Sequence, residues 1–495
     1  MSVRVEVAIV GAGFAGIAAA LALRRAGRHS FVMIERAAAV GGAWRDNTYP
    51  GVACDVPSAL YCFASHPNPT WSGTFATGRE IADYLEDVVA REDLSAHLRL
   101  RSPLVAATWL PDAGRCRPST GGPDPVTVEA EVLVLACGRL TEPAIPEIPG
   151  LTGFPGALFH SARWDHDVDL AGSRVAVVGT GASAVQIVPQ LARDSRVTLF
   201  QRTPAWIVPR HGRRHPPAER AWLAAHPEAL DARRAVALAQ GEDRFASRSG
   251  DPRAAAVAER AARAHLAAQV PDADLRRALT PDYAFGCKRV LISDDFYPSV
   301  ASDAVTLEPS ALARVEGRTL VSARGRRFDA DAIVFATGFA SARQPYADLV
   351  VGEEATLADH WAEGMTSFAS TVVSGFPNMF VLNGPNASLG HNSAILMIEE
   401  QCAYLVRSLA RRAAPTDVLR ADPAAERAYT AEIDDAARST PWLTGGCRNW
   451  YVDDRSGRLT LLWPGTVEDF RRRLAAADGT EFTSAPVAGT RKRPS

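Results

Sequence analysis

The apolar residues near the start of the chain predict a strand, a turn and a helix in succession. Val5–Val10 is apolar and mostly β-branched, which is typical of a buried strand. An Ala/Leu-rich stretch that extends to about Arg25 then predicts a helix. A second apolar run, Phe31–Ile34, predicts another strand and ends at Glu35. Such a strand–helix–strand unit is the building block of an α/β fold with a parallel sheet.

The turn between the first strand and its helix contains glycines at the spacing of a dinucleotide-binding loop. Gly11 permits the tight turn, Gly13 lets the backbone approach a pyrophosphate, and Gly16 lets the helix pack closely on the strand. The carboxylate of Glu35, at the end of the next strand, can accept hydrogen bonds from a ribose diol. We therefore predict an FAD site here, with Ala15 also in contact with the cofactor.

The same hydrophobic pattern returns at Val175–Val178, followed by a second glycine-rich turn and a helix that reaches Leu191. The next predicted strand ends in Gln201-Arg202-Thr203 and lacks an acid at its end. A guanidinium can grip a 2′-phosphate with two hydrogen bonds, although Arg202 could also be an ordinary surface arginine. We therefore predict an NADPH site. Its candidate residues are Gly179, Thr180, Gly181, Ser183, Gln186, Arg202 and Thr203.

The pattern predicts an α/β chain with two Rossmann-like dinucleotide-binding domains, one for FAD and one for NADP, and a helical insertion in the NADP domain. The insertion is predicted from an Ala-, Arg- and Glu-rich stretch punctuated by prolines. We expect the FAD domain to comprise residues 1–145 and 341–495. We assign residues 150–210 and 285–340 to the NADP domain, and residues 211–284 to the insertion. The tail from about Ser484 is expected to be disordered.

Composition narrows the classes of partner. Apolar residues make up 47% and charged residues 22% of the 495, as in ordinary globular proteins, which excludes a disordered, collagen-like or coiled-coil chain. The formal net charge of −2 provides no field that would recruit nucleic acid or an anionic membrane. We expect no membrane span, no secretion signal and a cytoplasmic location. The seven cysteines include no C-x-x-C pair, so we predict reduced thiols and no metal site.

The segment Phe154–Asp165 reads F-x-G-x-x-x-H-x-x-x-W-D and lies just before the second glycine motif. It resembles the fingerprint of the type I Baeyer-Villiger monooxygenases, which are class B flavoprotein monooxygenases. The resemblance covers nearly the whole chain, because other family motifs follow in order: Gly41–Trp44, Tyr49–Gly51, Cys54-Asp55, Gln201–Pro204, Lys288-Arg289 and Asn449–Tyr451. The departures are Asp165, Ala43 in place of the usual threonine, and Ala184 in place of the third glycine of the second motif.

The resemblance implies that NADPH reduces FAD, that O₂ then forms a C4a-peroxyflavin, and that one oxygen atom is inserted next to a ketone carbonyl to give an ester or lactone. It implies that Arg289 stabilises the peroxyflavin and that Asp55, beneath the flavin, pairs with this arginine. Lys288 would contact the 2′-phosphate, and Trp450 would fold over NADP⁺. It also implies flavin contacts from Gly42, Ala43, Trp44 and Tyr61. His160 and Trp164 of the fingerprint are expected to couple domain motion to NADP⁺ binding rather than to catalyse.

Other interpretations of the same residues stay open at this point. The protein could be a heteroatom oxygenase that acts on a sulfide or amine, or an NADPH oxidase that releases H₂O₂. The lack of C-x-x-C argues against a flavin disulfide reductase. Asp55 could belong to a purely structural ion pair, and Trp44 and Tyr61 could simply pack in the core. The expected partners are a small ketone and O₂, and the chain could be a monomer or a homodimer.

Overall fold

The computed structural model describes residues 2–412, 414 and 417–486. Its strands are β1 (Ser2–Val10), β2 (Phe31–Ile34), β3 (Leu98–Arg99), β4 (Leu104–Leu110), β5 (Arg115–Thr120), β6 (Thr127–Leu135), β7 (Ala157–His160), β8 (Arg174–Val178), β9 (Arg196–Phe200), β10 (Ile207–Val208), β11 (Leu291–Ile292), β12 (Val305–Glu308), β13 (Leu312–Glu316), β14 (Thr319–Ser322), β15 (Arg327–Asp329), β16 (Ala332–Phe335), β17 (Val350–Val351), β18 (Met379–Val381), β19 (Asp417–Ala421) and β20 (Phe482–Pro486). Ser484–Pro486 therefore belong to a strand, whereas the rest of the predicted disordered tail lies outside the described residues.

The helices are α1 (Phe14–Arg25), α2 (Ala43–Asp46), α3 (Gly78–Arg91), α4 (Ala182–Leu191), α5 (Pro217–Ala225), α6 (Pro227–Asp243), α7 (Phe245–Ser249), α8 (Pro252–Gln269), α9 (Ala273–Leu279), α10 (Phe296–Val300), α11 (Leu357–His360), α12 (Ala394–Ala410), α13 (Pro423–Ala437), α14 (Pro441–Thr444) and α15 (Val467–Ala475). No helix in the described ranges is both long enough and apolar enough to cross a membrane.

The larger sheet has the strand order β17-β4-β5-β6-β1-β2-β3, with β18 also paired to β6. Strand β1 runs parallel to both β2 and β6, and Val10 is in register with Ile34 on one side and Leu135 on the other. Because parallel strands end at the same edge, the residues that follow these three strands lie together. This edge brings Gly11, Glu35 and Ala136 to one place.

The second parallel sheet has the order β12-β9-β8-β16-β7. Val178 is in register with Phe200 and with Phe335, and Phe335 is in register with His160. The fingerprint histidine therefore lies at the carboxyl edge of this sheet. The expectation that it couples domain motion to NADP⁺ binding stays a prediction.

The two glycine-rich turns have the same backbone geometry. Gly11 has φ +106°, and a Cβ added to it would lie 2.4 Å from the carbonyl oxygen of Ala136. Gly179 has φ +115°, and its Cβ would lie 2.5 Å from the carbonyl oxygen of Ala336. Both contacts are too short for any side chain, so each turn requires glycine where it passes the neighbouring strand.

Helices α5 to α9 lie between β10 and β11, which pair in parallel as a separate two-stranded sheet. Leu266 and Leu279 from these helices join the apolar core of the second sheet. Ala237 from α6 joins the core of the larger sheet. The helical segment thus contacts both halves of the molecule and covers the region between them.

Candidate active site and cofactor sites

Arg289 and Asp55 form an ion pair between segments that are 234 residues apart. The Nε and one terminal nitrogen of Arg289 each lie 2.7 Å from the same carboxylate oxygen of Asp55. Each side chain keeps 27% of its surface exposed, so the pair faces a partly open space. The negative charge of Asp55 raises the pKa of Arg289, which keeps the guanidinium protonated at any physiological pH.

Tyr451 is a further member of this site. The sequence predicts it only as part of the family motif Asn449–Tyr451. Its side chain is 1% exposed, and its hydroxyl group lies close enough to the Arg289 guanidinium to interact with it electrostatically. Burial raises the pKa of Tyr451 to about 12, so the phenol stays neutral beside the cation. Arg289 is therefore paired with a carboxylate and has a buried phenol close by.

Trp450, predicted to cover the nicotinamide cofactor, lies next to this pair. Its side chain is 37% exposed, and its ring centroid lies 4.6 Å from that of Tyr451. The Ser341 hydroxyl donates to the Trp450 carbonyl oxygen at 3.4 Å. The exposed indole contacts the site from its rim, and the predicted contact with NADP⁺ stays a prediction.

The first glycine unit fits the adenosine and pyrophosphate end of FAD. Glu35 is 4% exposed, and its carboxylate accepts hydrogen bonds from the amides of Ala12 and Ala37, both at 2.9 Å. These donors fix the carboxylate at the end of β2, where a ribose would lie. A Cβ on Gly16 would lie 1.9 Å from the Gly11 carbonyl oxygen, so only glycine lets α1 begin this close to β1.

The predicted flavin contacts gather around the same turn. Gly42 has φ +54°, and a Cβ on it would lie 3.1 Å from the Cα of Gly13, so two glycines allow the two loops to touch. Ala43 begins α2, and Ala15 is buried in α1. Trp44 donates its indole N–H to the hydroxyl of Tyr61 at 3.1 Å. The structure thus places these predicted residues close together around the first glycine-rich turn.

The second glycine unit fits a phosphorylated ribose. The Thr180 hydroxyl donates to the carbonyl oxygen of Thr203 at 2.7 Å, which fastens the glycine turn to the segment after β9. Beside it lies a cavity of about 310 Å³. Its lining includes two predicted cations and the end of the Trp450 loop: Arg202, Thr203, Asp282, Tyr283, Lys288, Gly446, Cys447 and Arg448. Burial and the charge of Arg202 lower the pKa of Lys288. Arg202 and Lys288, the two predicted cations of this lining, therefore lie close enough together to bind one phosphate.

Other predicted residues of this unit are engaged differently. A Cβ on Gly181 would meet no atom within 4 Å, which leaves the turn open to a ligand. Gln186 donates to the Ala53 carbonyl oxygen at 2.9 Å and accepts from the Tyr49 hydroxyl at 3.1 Å, and Ser183 also makes a hydrogen bond with Tyr49. These two side chains connect the NADP half to the segment that carries Asp55. Contact with the cofactor stays a prediction for both.

The prediction that all cysteines are reduced was wrong. Cys287 and Cys447 form a disulfide, and the other five cysteines are free thiols. The two are 160 residues apart, and no spacing rule pairs cysteines at that distance. The bond joins the residue before Lys288-Arg289 to the loop that carries Trp450. It therefore ties the predicted cofactor-covering loop to the arginine segment.

Comparisons with known proteins agree with this arrangement. A family profile described as pyridine nucleotide-disulphide oxidoreductase matches residues 8–213, which contain both glycine units. A Baeyer-Villiger monooxygenase of Streptomyces coelicolor is 45% identical over 97% of this chain and 92% of its own length. One from Pseudomonas aeruginosa is 37% identical over 98% and 92%.

Solved structures agree as well. An oxidised steroid monooxygenase bound to NADP has a TM-score of 0.84 and 28% identity, over 98% of this chain and all of that one. A closed cyclohexanone monooxygenase has a TM-score of 0.85 and 26% identity over the same shares. The protein is thus a flavin-dependent monooxygenase that uses FAD and NADPH. More narrowly, the chain belongs to the Baeyer-Villiger monooxygenases, which confirms the resemblance found in its sequence, and Baeyer-Villiger oxidation is the activity this supports.

Proposed function

We propose that Arg289 stabilises the negative charge that develops on oxygen while one oxygen atom is inserted beside the carbonyl of a small ketone. The observation that carries this proposal is the position of its guanidinium, paired with Asp55 at 2.7 Å and close to the Tyr451 hydroxyl. An arginine stays protonated and offers a rigid set of donors, so it stabilises an anion without giving up a proton. The ketone carbonyl would lie against the free edge of this guanidinium.

Asp55 and Tyr451 act as positioning residues in this proposal. The carboxylate balances one buried positive charge and sets the plane of the guanidinium. The neutral phenol would restrain the same group without adding charge. Together they keep Arg289 pre-organised, so that little rearrangement is needed when charge forms during the reaction.

The larger sheet would hold FAD. Gly11, Gly13 and Gly16 would line the pyrophosphate, Glu35 would accept hydrogen bonds from the adenosine ribose, and Trp44 and Tyr61 would pack near the ring system. When bound and reduced by NADPH, FAD would activate O₂ for the transfer of one oxygen atom. Asp55 belongs to this half of the chain, so the ion pair with Arg289 spans the two cofactor sites.

The second sheet would hold NADPH. Arg202 and Lys288 would grip the 2′-phosphate in the cavity that they line. Thr180 and Thr203 would shape the turn, and Trp450 would close over the nicotinamide end. We assign residues 150–210 and 285–340 to this NADP-binding domain and residues 1–145 and 341–495 to the FAD-binding domain. The helices of residues 211–284 would form its insertion.

The purified holoenzyme, NADPH and isotope-labelled O₂ test the proposal directly. Cyclohexanone should yield a lactone that carries one labelled oxygen, with one NADPH consumed per product. Thioanisole, a sulfide, tests the same enzyme for the alternative activity, heteroatom oxygenation. A set of cyclic and linear ketones that gives no ester or lactone, while H₂O₂ forms in step with NADPH consumption, would contradict the proposed oxygenation.

A further inference from the structure

Helix α7 brings an arginine from the helical segment to the edge of the active site. Arg248 donates a hydrogen bond from a terminal nitrogen to the carbonyl oxygen of Gly390 at 2.8 Å, just before α12. On its other side the helix backbone touches Gly286, where an added Cβ would lie 2.9 Å from the Cα of Arg248. Gly286 comes three residues before Arg289, so the two arginines belong to segments in direct contact.

The same helix is anchored beside Tyr451. Phe245, one turn earlier, packs against the apolar cluster that contains Tyr451 and Trp442. Arg248 lies close enough to the Arg289–Asp55 pair to interact electrostatically with both of its members. The helical segment therefore contributes one cation to the surroundings of the predicted catalytic arginine.

The guanidinium of Arg248 lacks an anionic partner. Within the described part of the chain no carboxylate pairs with it, and its buried Nε has no hydrogen-bond acceptor there. Burial, together with the positive charges of Arg244 and Arg289, lowers its pKa to about 10. The group is still protonated at neutral pH, so a partly buried positive charge without an ion-pair partner among the described residues lies near the Arg289–Asp55 pair. Such a charge is unfavourable unless an anion completes it.

Asp55 and Glu242, two acids close to α7, are already engaged. Asp55 is held by Arg289. Glu242 accepts from Asn392 at 2.8 Å and from the Val467 amide at 3.0 Å, and it lies 3.3 Å from His391. Neither carboxylate can turn to Arg248 without breaking these contacts. A compensating anion would therefore have to arrive with a ligand.

We propose that Arg248 binds a carboxylate carried by the ketone substrate, so that this enzyme prefers keto acids to neutral ketones of the same shape. The proposal rests on the proposed function and specifies its substrate class. Arg289 would act on the ketone carbonyl, while the second terminal nitrogen of Arg248, which makes no hydrogen bond within the described residues, would bind the remote carboxylate. A charge-assisted hydrogen bond from a partly buried guanidinium supplies enough binding energy to select between such substrates.

Matched substrate pairs test the proposal. We would measure kcat/KM of the holoenzyme for 4-acetylbenzoate against its methyl ester, and for 4-oxopentanoate against its methyl ester. The wild type should prefer each acid, and Arg248→Gln should lower the acid-to-ester ratio by roughly 10- to 100-fold. Arg248→Lys, which keeps a positive charge, should retain part of the preference. Arg253→Gln, an exposed arginine at the start of α8, should leave the ratio unchanged.

A binding measurement gives a second readout. 4-Methylbenzoate, which has no ketone, should compete with the acid substrate, and its inhibition constant should rise in Arg248→Gln to the same extent as the ratio falls. FAD content and melting temperature report whether the variant is folded. If Arg248→Gln does not fold, two other measurements test the proposal. They are the acid-to-ester ratio of Arg248→Lys and the inhibition constant of 4-methylbenzoate for the wild type.

The outcomes separate the two proposals. Oxygenation of neutral ketones without a preference for acids, or an equal loss for acid and ester in Arg248→Gln, would overturn the role of Arg248 and leave the proposed function standing. Production of H₂O₂ alone from every ketone would overturn the proposed function. In that case 4-methylbenzoate binding that depends on Arg248 would still support the anion site, and binding unaffected by Arg248→Gln would reject it.

Discussion

Arg289 donates its Nε–H to Asp55 at 2.7 Å, and this contact joins the Lys288-Arg289 segment to the Cys54-Asp55 segment, 234 residues earlier. Each residue lies beside a different predicted cofactor site. A single ion pair therefore links the region that receives NADPH to the region where the flavin would react. Loss of either Arg289 or Asp55 should therefore slow oxygen insertion into the substrate more than it weakens the binding of either cofactor.

Replacement of Arg289 by alanine should leave flavin reduction by NADPH largely intact and abolish oxygenation. Loss of one fixed donor at a developing oxyanion lowers rates by roughly 100- to 1,000-fold. Stopped-flow reduction followed by product analysis separates the two steps. A normal ester yield from this variant would refute the role proposed for Arg289.

Tyr451→Phe removes only the hydroxyl group that lies close to Arg289. Because the guanidinium would then be held by Asp55 alone, we expect more H₂O₂ and less ester per NADPH consumed, with little change in the rate of flavin reduction. Parallel assays of peroxide and product measure this partition. Tyr429→Phe, which removes a buried hydroxyl from the core around α13, is the matched control. Equal partition in Tyr451→Phe and wild type would show that the phenol has no positioning role.

Arg202→Ala should raise KM for NADPH by roughly 10- to 100-fold, because a charge-assisted contact to the 2′-phosphate is lost. NADH lacks this phosphate, so its KM should change little. Steady-state kinetics with both coenzymes give the comparison, and Arg193→Ala, at an exposed arginine after α4, provides the control. Equal effects on the two coenzymes would mean that Arg202 does not contact the 2′-phosphate.

His160 should make the stability of the protein depend on pH. Burial lowers the pKa of His160 to about 4, below its ordinary value near 6.5. The folded state therefore binds this proton less readily than the unfolded state, and stability present above about pH 6.5 is lost as the pH falls toward 4. The loss amounts to about 3 kcal/mol at most. Denaturant unfolding between pH 7 and pH 4.5 should show a smaller decline in His160→Gln than in the wild type; an identical decline would contradict the assignment.

The disulfide between Cys287 and Cys447 should affect NADPH binding, because Cys447 lines the cavity that also contains Arg202 and Lys288. A reductant should raise KM for NADPH in the wild type by freeing the Trp450 loop. Cys447→Ser should show the raised KM already and should not respond to the reductant. Thiol titration confirms the state of the bond. An unchanged KM after complete reduction would show that the bond does not restrain the loop.

The sequence predicts those parts of the site that are encoded locally. Gly11 and Gly179 each lie in a short motif whose spacing predicts a tight turn, and both turns require glycine as predicted. The Arg289–Asp55 pair could be anticipated only by family resemblance, because it joins segments 234 residues apart. Arg248 and the Cys287–Cys447 bond have no local signal. Their positions depend on how the helical segment and the C-terminal loop pack across the chain.

The disulfide also has a consequence for the unfolded chain. It closes a ring of about 160 residues that includes β12 to β16 and α12. Closing a ring of this size removes much of the freedom of the denatured chain, an effect of about 5 kcal/mol in chain-entropy terms. The bond that holds the cofactor loop therefore also sets part of the thermal stability of the protein. Reduction of the disulfide should therefore loosen the Trp450 loop and lower the melting temperature at the same time.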